Sequence, residues 1–257
     1  MTDSTPALVL DGRWNLSVPE DLMQGRCNWI LLTLMGSRAY GIDTEESDED
    51  WVGVYVEPLK KRLSVRRTKV HRAIRGTNPD SVFYDVVRFC QLAVKGNPTV
   101  LECLWHPDPI LSMGSKERQE VGGRLLRIRD AFLSERVGRA YYGYICGQMA
   151  RFREGRRLHS KGGKPGVKWV IHIVRLTLAL EHLVEEKEIL VRLSRGDAEF
   201  IKRIRRGEFA DNFLYGELLP YYQGRAEAAL KRLSLPEEPG WDVIDDFCYY
   251  ACTRFED

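Results

Sequence analysis

The sequence contains no apolar run that approaches the roughly 20 residues needed to span a bilayer. Its N-terminus has no signal-peptide pattern. The six cysteines, at positions 27, 90, 103, 146, 248 and 252, lack the paired C-x-x-C spacing typical of a zinc site. We therefore expect a cytoplasmic protein with reduced thiols and no membrane partner.

Net charge is also low, at +2 over 257 residues, so affinity for a polyanion depends on how the charge is distributed. Eight Lys or Arg residues and no acid lie between positions 60 and 75, and eight more lie with one acid between positions 151 and 175. Positions 236–257 carry seven acids and one Arg. Such runs are usually solvated faces, yet two basic segments keep a polyanionic partner open.

Strand-like patterns are confined to the first part of the chain. WILLTLM (29–35), WVGVYV (51–56) and SVFY (81–84) are short apolar runs rich in β-branched or aromatic residues. Beyond about residue 112 apolar residues recur every three or four positions, as in amphipathic helices. The pattern predicts a small α/β N-terminal domain over residues 1–112 and a helical domain over residues 113–257. Between two of the helices, HSKGGKPGVK (159–168) has the composition of a mobile basic loop.

Two acids stand directly before the second strand-like run. In the stretch GSRAYGIDTEESDEDWVGVYV, Asp48 and Asp50 are two residues apart, so in an extended chain their carboxylates face the same spot. Unpaired, they would repel by about 1 kcal/mol at 4 Å even in bulk water. A divalent cation removes that cost, and Mg²⁺ favours carboxylates combined with substrate phosphates. The spacing indicates a metal site.

A glycine-serine pair ends the first strand-like run, ten residues before these acids. Gly36 has no Cβ and lets the backbone approach a triphosphate closely. Ser37 adds a hydroxyl, and Arg38 offers counter-charge. Taken singly, a Gly-Ser turn and an acid-x-acid pair are both common in plain loops. Their combination on adjacent strands favours a phosphate cradle beside metal ligands.

This combination resembles the signature of the DNA polymerase β nucleotidyltransferase superfamily, and more narrowly its RNA-ligase-associated family, linked to RNA repair. Three later blocks are similar to that family: KGNPTVLECLW (95–105), KWVIHIVRLTLALEHL (168–183) and FIKRIRRGEF (200–209). The resemblance covers roughly residues 28–210. It implies an α+β fold with a small mixed sheet beside a helical bundle. It also implies transfer of a nucleoside monophosphate from an NTP to a hydroxyl, with Mg²⁺ or Mn²⁺.

Members of the superfamily normally carry a third carboxylate on a nearby strand. We assign Asp85, at the end of the SVFY run, to the catalytic and metal-binding set with Asp48 and Asp50. Asp85 is equally well placed to cap the helix that follows. Glu102 is the second candidate, although an acid among apolar residues could instead form a buried salt bridge.

The helix that begins near residue 167 carries Lys168, His172 and Arg175 at positions i, i+4 and i+7, which share one face. We assign this stripe to phosphate or acceptor-strand binding, together with Gly36 and Ser37. A solvated face with a bystander histidine is the ordinary alternative.

The predicted function is a metal-dependent nucleotidyltransferase that acts on an RNA end. Alternatives are transfer to a protein, as in a toxin-antitoxin pair, a metal-dependent phosphodiesterase and a non-catalytic RNA-binding module.

Overall fold

The computed structural model describes residues 7–10, 14–17, 28–65, 71–74, 80–112, 115–153 and 166–255. Most of the predicted basic loop at 159–168 lies outside these residues, as does part of the basic segment at 60–75. No helix in the described ranges combines the length and the apolar character that a membrane crossing requires.

The described strands form a two-stranded ribbon and a five-stranded mixed sheet. The strands are β1 (Ala7–Leu10), β2 (Trp14–Ser17), β3 (Asn28–Met35), β4 (Asp50–Val56), β5 (His71–Ile74), β6 (Asp80–Asp85) and β7 (Ile110–Leu111). Strands β1 and β2 pair with each other, and the sheet has the order β5-β6-β4-β3-β7. The pair β4–β6 is parallel and the other pairs are antiparallel. All three predicted strands are confirmed.

Helices surround and follow the sheet. They are α1 (Gly36–Tyr40), α2 (Leu59–Arg62), α3 (Val86–Ala93), α4 (Pro98–Leu104), α5 (Lys116–Arg127), α6 (Glu135–Arg153), α7 (Val167–Glu186), α8 (Arg195–Arg206), α9 (Leu219–Arg232) and α10 (Trp241–Thr253). A 3₁₀ turn spans Arg129–Phe132 and a π-helical segment spans Phe213–Leu218. The α+β class is confirmed, with helices throughout the described residues beyond β7.

The central strands are mostly apolar between their ends because both faces of the sheet are covered. On one face Ile30 and Val54 join the large helix-covered core, and on the other Trp29, Trp51 and Phe83 form a second cluster. The large core draws buried side chains from both sides of position 112. The division into two domains at that position stays a prediction.

The start of α4 follows the capping rules. Asn97 accepts a hydrogen bond from the Val100 amide at 3.2 Å, and Pro98 occupies the first turn of α4, where its missing amide hydrogen costs nothing. The predicted start of this helix is confirmed. Thr99, in the first turn of the same helix, lines the cleft described below.

Candidate active site

The chain turns sharply where β3 ends. Gly36 follows Met35 with φ +71°, a left-handed backbone conformation that favours glycine, and begins the short helix α1. A Cβ at this position would lie 2.5 Å from Asp50 Oδ2. Because Gly36 has no side chain, the Asp50 carboxylate can take the place that a Cβ would occupy. The approach of a triphosphate to this turn stays a prediction.

Asp50 is the first residue of β4, and its neighbours across the sheet define the site. It pairs with Met35 on β3 and with Asp80 on the parallel strand β6. Two neighbouring parallel strands thus begin with aspartates in register. Asp48, which lies just before β4, also acts electrostatically on Asp50. The structure brings together three aspartates, and one of them was not predicted.

The negative charges of Asp48 and Asp80 act on Asp50. The pKa of Asp50 is raised above its usual value, first by partial removal from water and then by the negative charges of Asp80 and Asp48. This repulsion disfavours the ionised form of the Asp50 carboxylate. A cation would reverse the effect.

A cleft of about 350 Å³ opens over these residues, lined by Met35, Gly36, Tyr40, Asp50, Trp51, Val52, Asp80, Val82 and Thr99. The hard carboxylate oxygens of Asp50 and Asp80 in this cleft fit a divalent cation that also takes phosphate ligands. Across the described residues, no three His, Cys, Asp or Glu side chains are already arranged as a metal-binding group.

The family model described as the RNA repair pathway DNA polymerase beta family matches residues 23–197, more than half of the chain. The chain belongs to this family. The match includes the Gly36 turn and all three aspartates. A comparison with curated proteins gives no match.

Asp85, assigned from the sequence to the family's third carboxylate, is placed elsewhere. It pairs with Tyr55 at the other end of β6, five residues and about 16 Å along the strand from Asp80. Its buried carboxylate forms an ion pair with Arg62 and accepts a hydrogen bond from the Val87 amide at 3.1 Å. The expectation that Asp85 faces Asp48 and Asp50 is wrong. Asp85 caps α3, the alternative left open above.

Glu102 and Arg175 form a buried pair. Arg175 Nη1 donates to Glu102 Oε1 at 2.5 Å, and the Tyr40 hydroxyl donates to Glu102 Oε2 at 2.7 Å. The Arg175 guanidinium also lies over the Tyr40 ring, 4.0 Å from its centre. Arg175 is therefore not exposed to a phosphate, and its predicted phosphate contact is wrong. Glu102 is the salt-bridge partner that its apolar surroundings suggested.

Lys168 and His172 are exposed on α7, on the face that continues from Arg175. The pKa of His172 is lowered to about 4. The larger cause is desolvation of the imidazole by neighbouring protein atoms, and the charges of Arg175 and Lys168 add to it. At neutral pH the imidazole is therefore uncharged, and Lys168 carries the positive charge of the exposed stripe. Their contact with phosphate stays a prediction.

Arg38 is turned into the loop that follows α1. Its Nη2 donates to the Ser47 carbonyl at 3.0 Å, and this hydrogen bond links α1 to the residue that precedes Asp48. Within the described residues, its buried Nε has no hydrogen-bond partner. Contacts of Arg38 and Ser37 with phosphate stay predictions.

The buried ion pair between Glu102 and Arg175 should contribute to the stability of the fold. Glu102→Gln leaves the Arg175 charge uncompensated, so we expect the free energy of unfolding to fall by about 3 kcal/mol. The double variant Glu102→Gln/Arg175→Met removes both charges, and its loss should be smaller than the sum of the losses in Glu102→Gln and Arg175→Met alone. Urea unfolding measures all four proteins. A Glu102→Gln variant as stable as the wild type would contradict the assignment.

Proposed function

We propose that the chain transfers a nucleoside monophosphate from an NTP to the hydroxyl of an RNA end. The observation that carries the proposal is the register of Asp50 with Asp80 beside the Gly36 turn, within one cleft. The family description supports RNA as the acceptor. The exposed Lys168 is available to a polyanion.

Each group in the cleft has a proposed task. Asp48, Asp50 and Asp80 would hold Mg²⁺ or Mn²⁺, which when bound supplies charge stabilisation to the phosphates and to the leaving oxygen. The backbone at Gly36 and Ser37 would receive the triphosphate. Asp80 would also accept the proton of the attacking hydroxyl, since it lies directly across from Asp50.

The proposed reaction is a single displacement. The acceptor oxygen forms a bond to the α-phosphorus while the bond from that phosphorus to the bridging oxygen breaks. Pyrophosphate leaves with the bonding electron pair, and the hydroxyl proton passes to the Asp80 carboxylate.

Mass spectrometry tests donor and acceptor together. The full chain is incubated with Mg²⁺, each of the four NTPs in turn, and cell RNA plus protein. We expect RNA 3′ ends that gain the mass of one or more nucleotides. Modified protein would instead favour protein nucleotidylation, and shortened RNA would favour a phosphodiesterase. No transfer with any NTP would count against the proposal.

A further inference from the structure

Residues 41–49 join the turn at Gly36 to β4 and include Asp48, so the path of this loop decides where Asp48 lies relative to Asp50. The loop has local hydrogen bonds. The Ile42 amide donates to the Ser37 carbonyl at 3.0 Å, and the Thr44 amide donates to Ser47 Oγ at 2.9 Å. Residues 44–46 between these bonds are exposed. These local hydrogen bonds do not bury the centre of the loop, which stays exposed to solvent.

The C-terminal half of the chain contacts both this loop and Tyr40, the residue that precedes it. The Leu193 amide donates to the Tyr40 carbonyl at 3.2 Å. Arg205 Nη1 donates to the Ile42 carbonyl at 2.7 Å, across 163 residues of sequence. The negative charge of Asp43 also faces Arg205. Both anchors come from α8 or the segment just before it.

Helix α8, which carries Arg205, is held in place by its buried face and by its N-terminal cap. Ala198, Ile201 and Ile204 are buried in the main core, and Ser194 caps the helix by accepting from the Asp197 amide at 3.1 Å. A helix fixed along one face can hold a side chain from an adjacent position in a defined place.

Arg205 differs from its basic neighbours on the helix. Arg203 and Arg206 are exposed and form ion pairs with Glu208, whereas Arg205 is half-buried and directed to the loop. Burial lowers the pKa of Arg205 and Asp43 opposes that effect, so the guanidinium stays charged at neutral pH. A charged donor to a backbone carbonyl is among the stronger hydrogen bonds of proteins.

We propose that Arg205 is a positioning residue, which fixes the loop between the phosphate turn and the metal-binding aspartates through the Ile42 carbonyl. The inference rests on the proposed nucleotidyl transfer. Arg205 lies beyond the residues matched by the family model, 23–197. Through this contact, a residue of α8 would help to position the loop beside the proposed catalytic aspartates.

Hydrogen–deuterium exchange and kinetics test this role in the full chain. In Arg205→Ala we expect amide exchange over residues 41–49 to rise by about tenfold, because opening the loop no longer breaks a charged hydrogen bond. The kcat for transfer should fall about tenfold and the half-saturating Mg²⁺ concentration should rise, with a smaller change in KM for the NTP. Arg205→Lys, which keeps one charged donor, should restore part of each loss.

Arg203→Ala is the matched control, because it removes an exposed arginine from the same helix. It should leave loop exchange, kcat and the Mg²⁺ requirement unchanged. Exchange in Arg205→Ala equal to that of the control would overturn the proposal. If the wild type transferred no nucleotide, the proposed function would fail, and loop exchange together with Mn²⁺ affinity from calorimetry would still decide the role of Arg205.

Discussion

We expect Asp80→Asn to lower the kcat of nucleotidyl transfer by about 100-fold or more, because the amide neither binds a divalent cation well nor accepts the hydroxyl proton. The free energy of unfolding should change by less than about 1 kcal/mol, since Asp80 is only partly buried at the start of β6. The pKa of Asp50 should move down toward its usual value, as one of its negative neighbours is lost. Steady-state kinetics, urea unfolding and NMR titration measure the three effects.

Asp85→Asn is the opposing variant on the same strand. It breaks the buried pair with Arg62, so we expect the free energy of unfolding to fall by about 3 kcal/mol. The folded fraction should keep most of its activity. If Asp85→Asn abolished transfer in folded protein while Asp80→Asn did not, Asp85 would regain its place as the third carboxylate.

The second large effect is expected at the turn. Gly36→Ala places a Cβ 2.5 Å from Asp50 Oδ2 and forces a non-glycine residue to adopt φ +71°. The carboxylate or the turn must shift, so we expect kcat/KM to fall by about tenfold or more. Backbone strain should also lower the free energy of unfolding by about 1 kcal/mol.

Gly41→Ala separates these two causes. Gly41 also has a left-handed conformation, with φ +75°, but a Cβ there would meet no described atom within 4 Å. The stability loss should be similar to that of Gly36→Ala, while transfer should stay near the wild-type rate. Equal kinetic losses in the two variants would show that strain, rather than contact with Asp50, limits the reaction.

The core of the site was predictable because it depends on local sequence. Gly36 and Ser37 stand at the end of an apolar strand, and the spacing of Asp48 and Asp50 fits entry into the next one. Strand ends, glycine turns and alternation of side chains all follow from a few neighbouring residues. The strand-rich first part followed by helices came from the same patterns, whereas the α+β class was implied by the family resemblance.

Asp80 was missed because its position depends on the pairing of strands. Nothing local shows that β6 lies parallel to β4 with Asp80 opposite Asp50. A signal was nonetheless present, since DWVGVYV and DSVFYD both begin with an aspartate followed by an apolar run. Parallel neighbours with the same pattern bring equivalent residues to the same end of a sheet.

Arg175 was misassigned for a related reason. Helical spacing correctly placed it on one face with Lys168 and His172, but spacing does not reveal what packs against that face. Glu102 lies 73 residues earlier, and the fold brings it within hydrogen-bonding distance. The same limit applies to Arg205, whose partner Ile42 lies 163 residues earlier in the sequence.

The central claim is that the aspartates beside the Gly36 turn perform metal-dependent nucleotidyl transfer. The direct measurement is label transfer from each α-labelled NTP to an RNA 3′ end, as Mg²⁺ is titrated, by the wild type and by Asp48→Ala/Asp50→Ala. We predict Mg²⁺-dependent transfer by the wild type and none above background by the double variant, with both proteins folded. Undiminished transfer by the double variant would contradict the account.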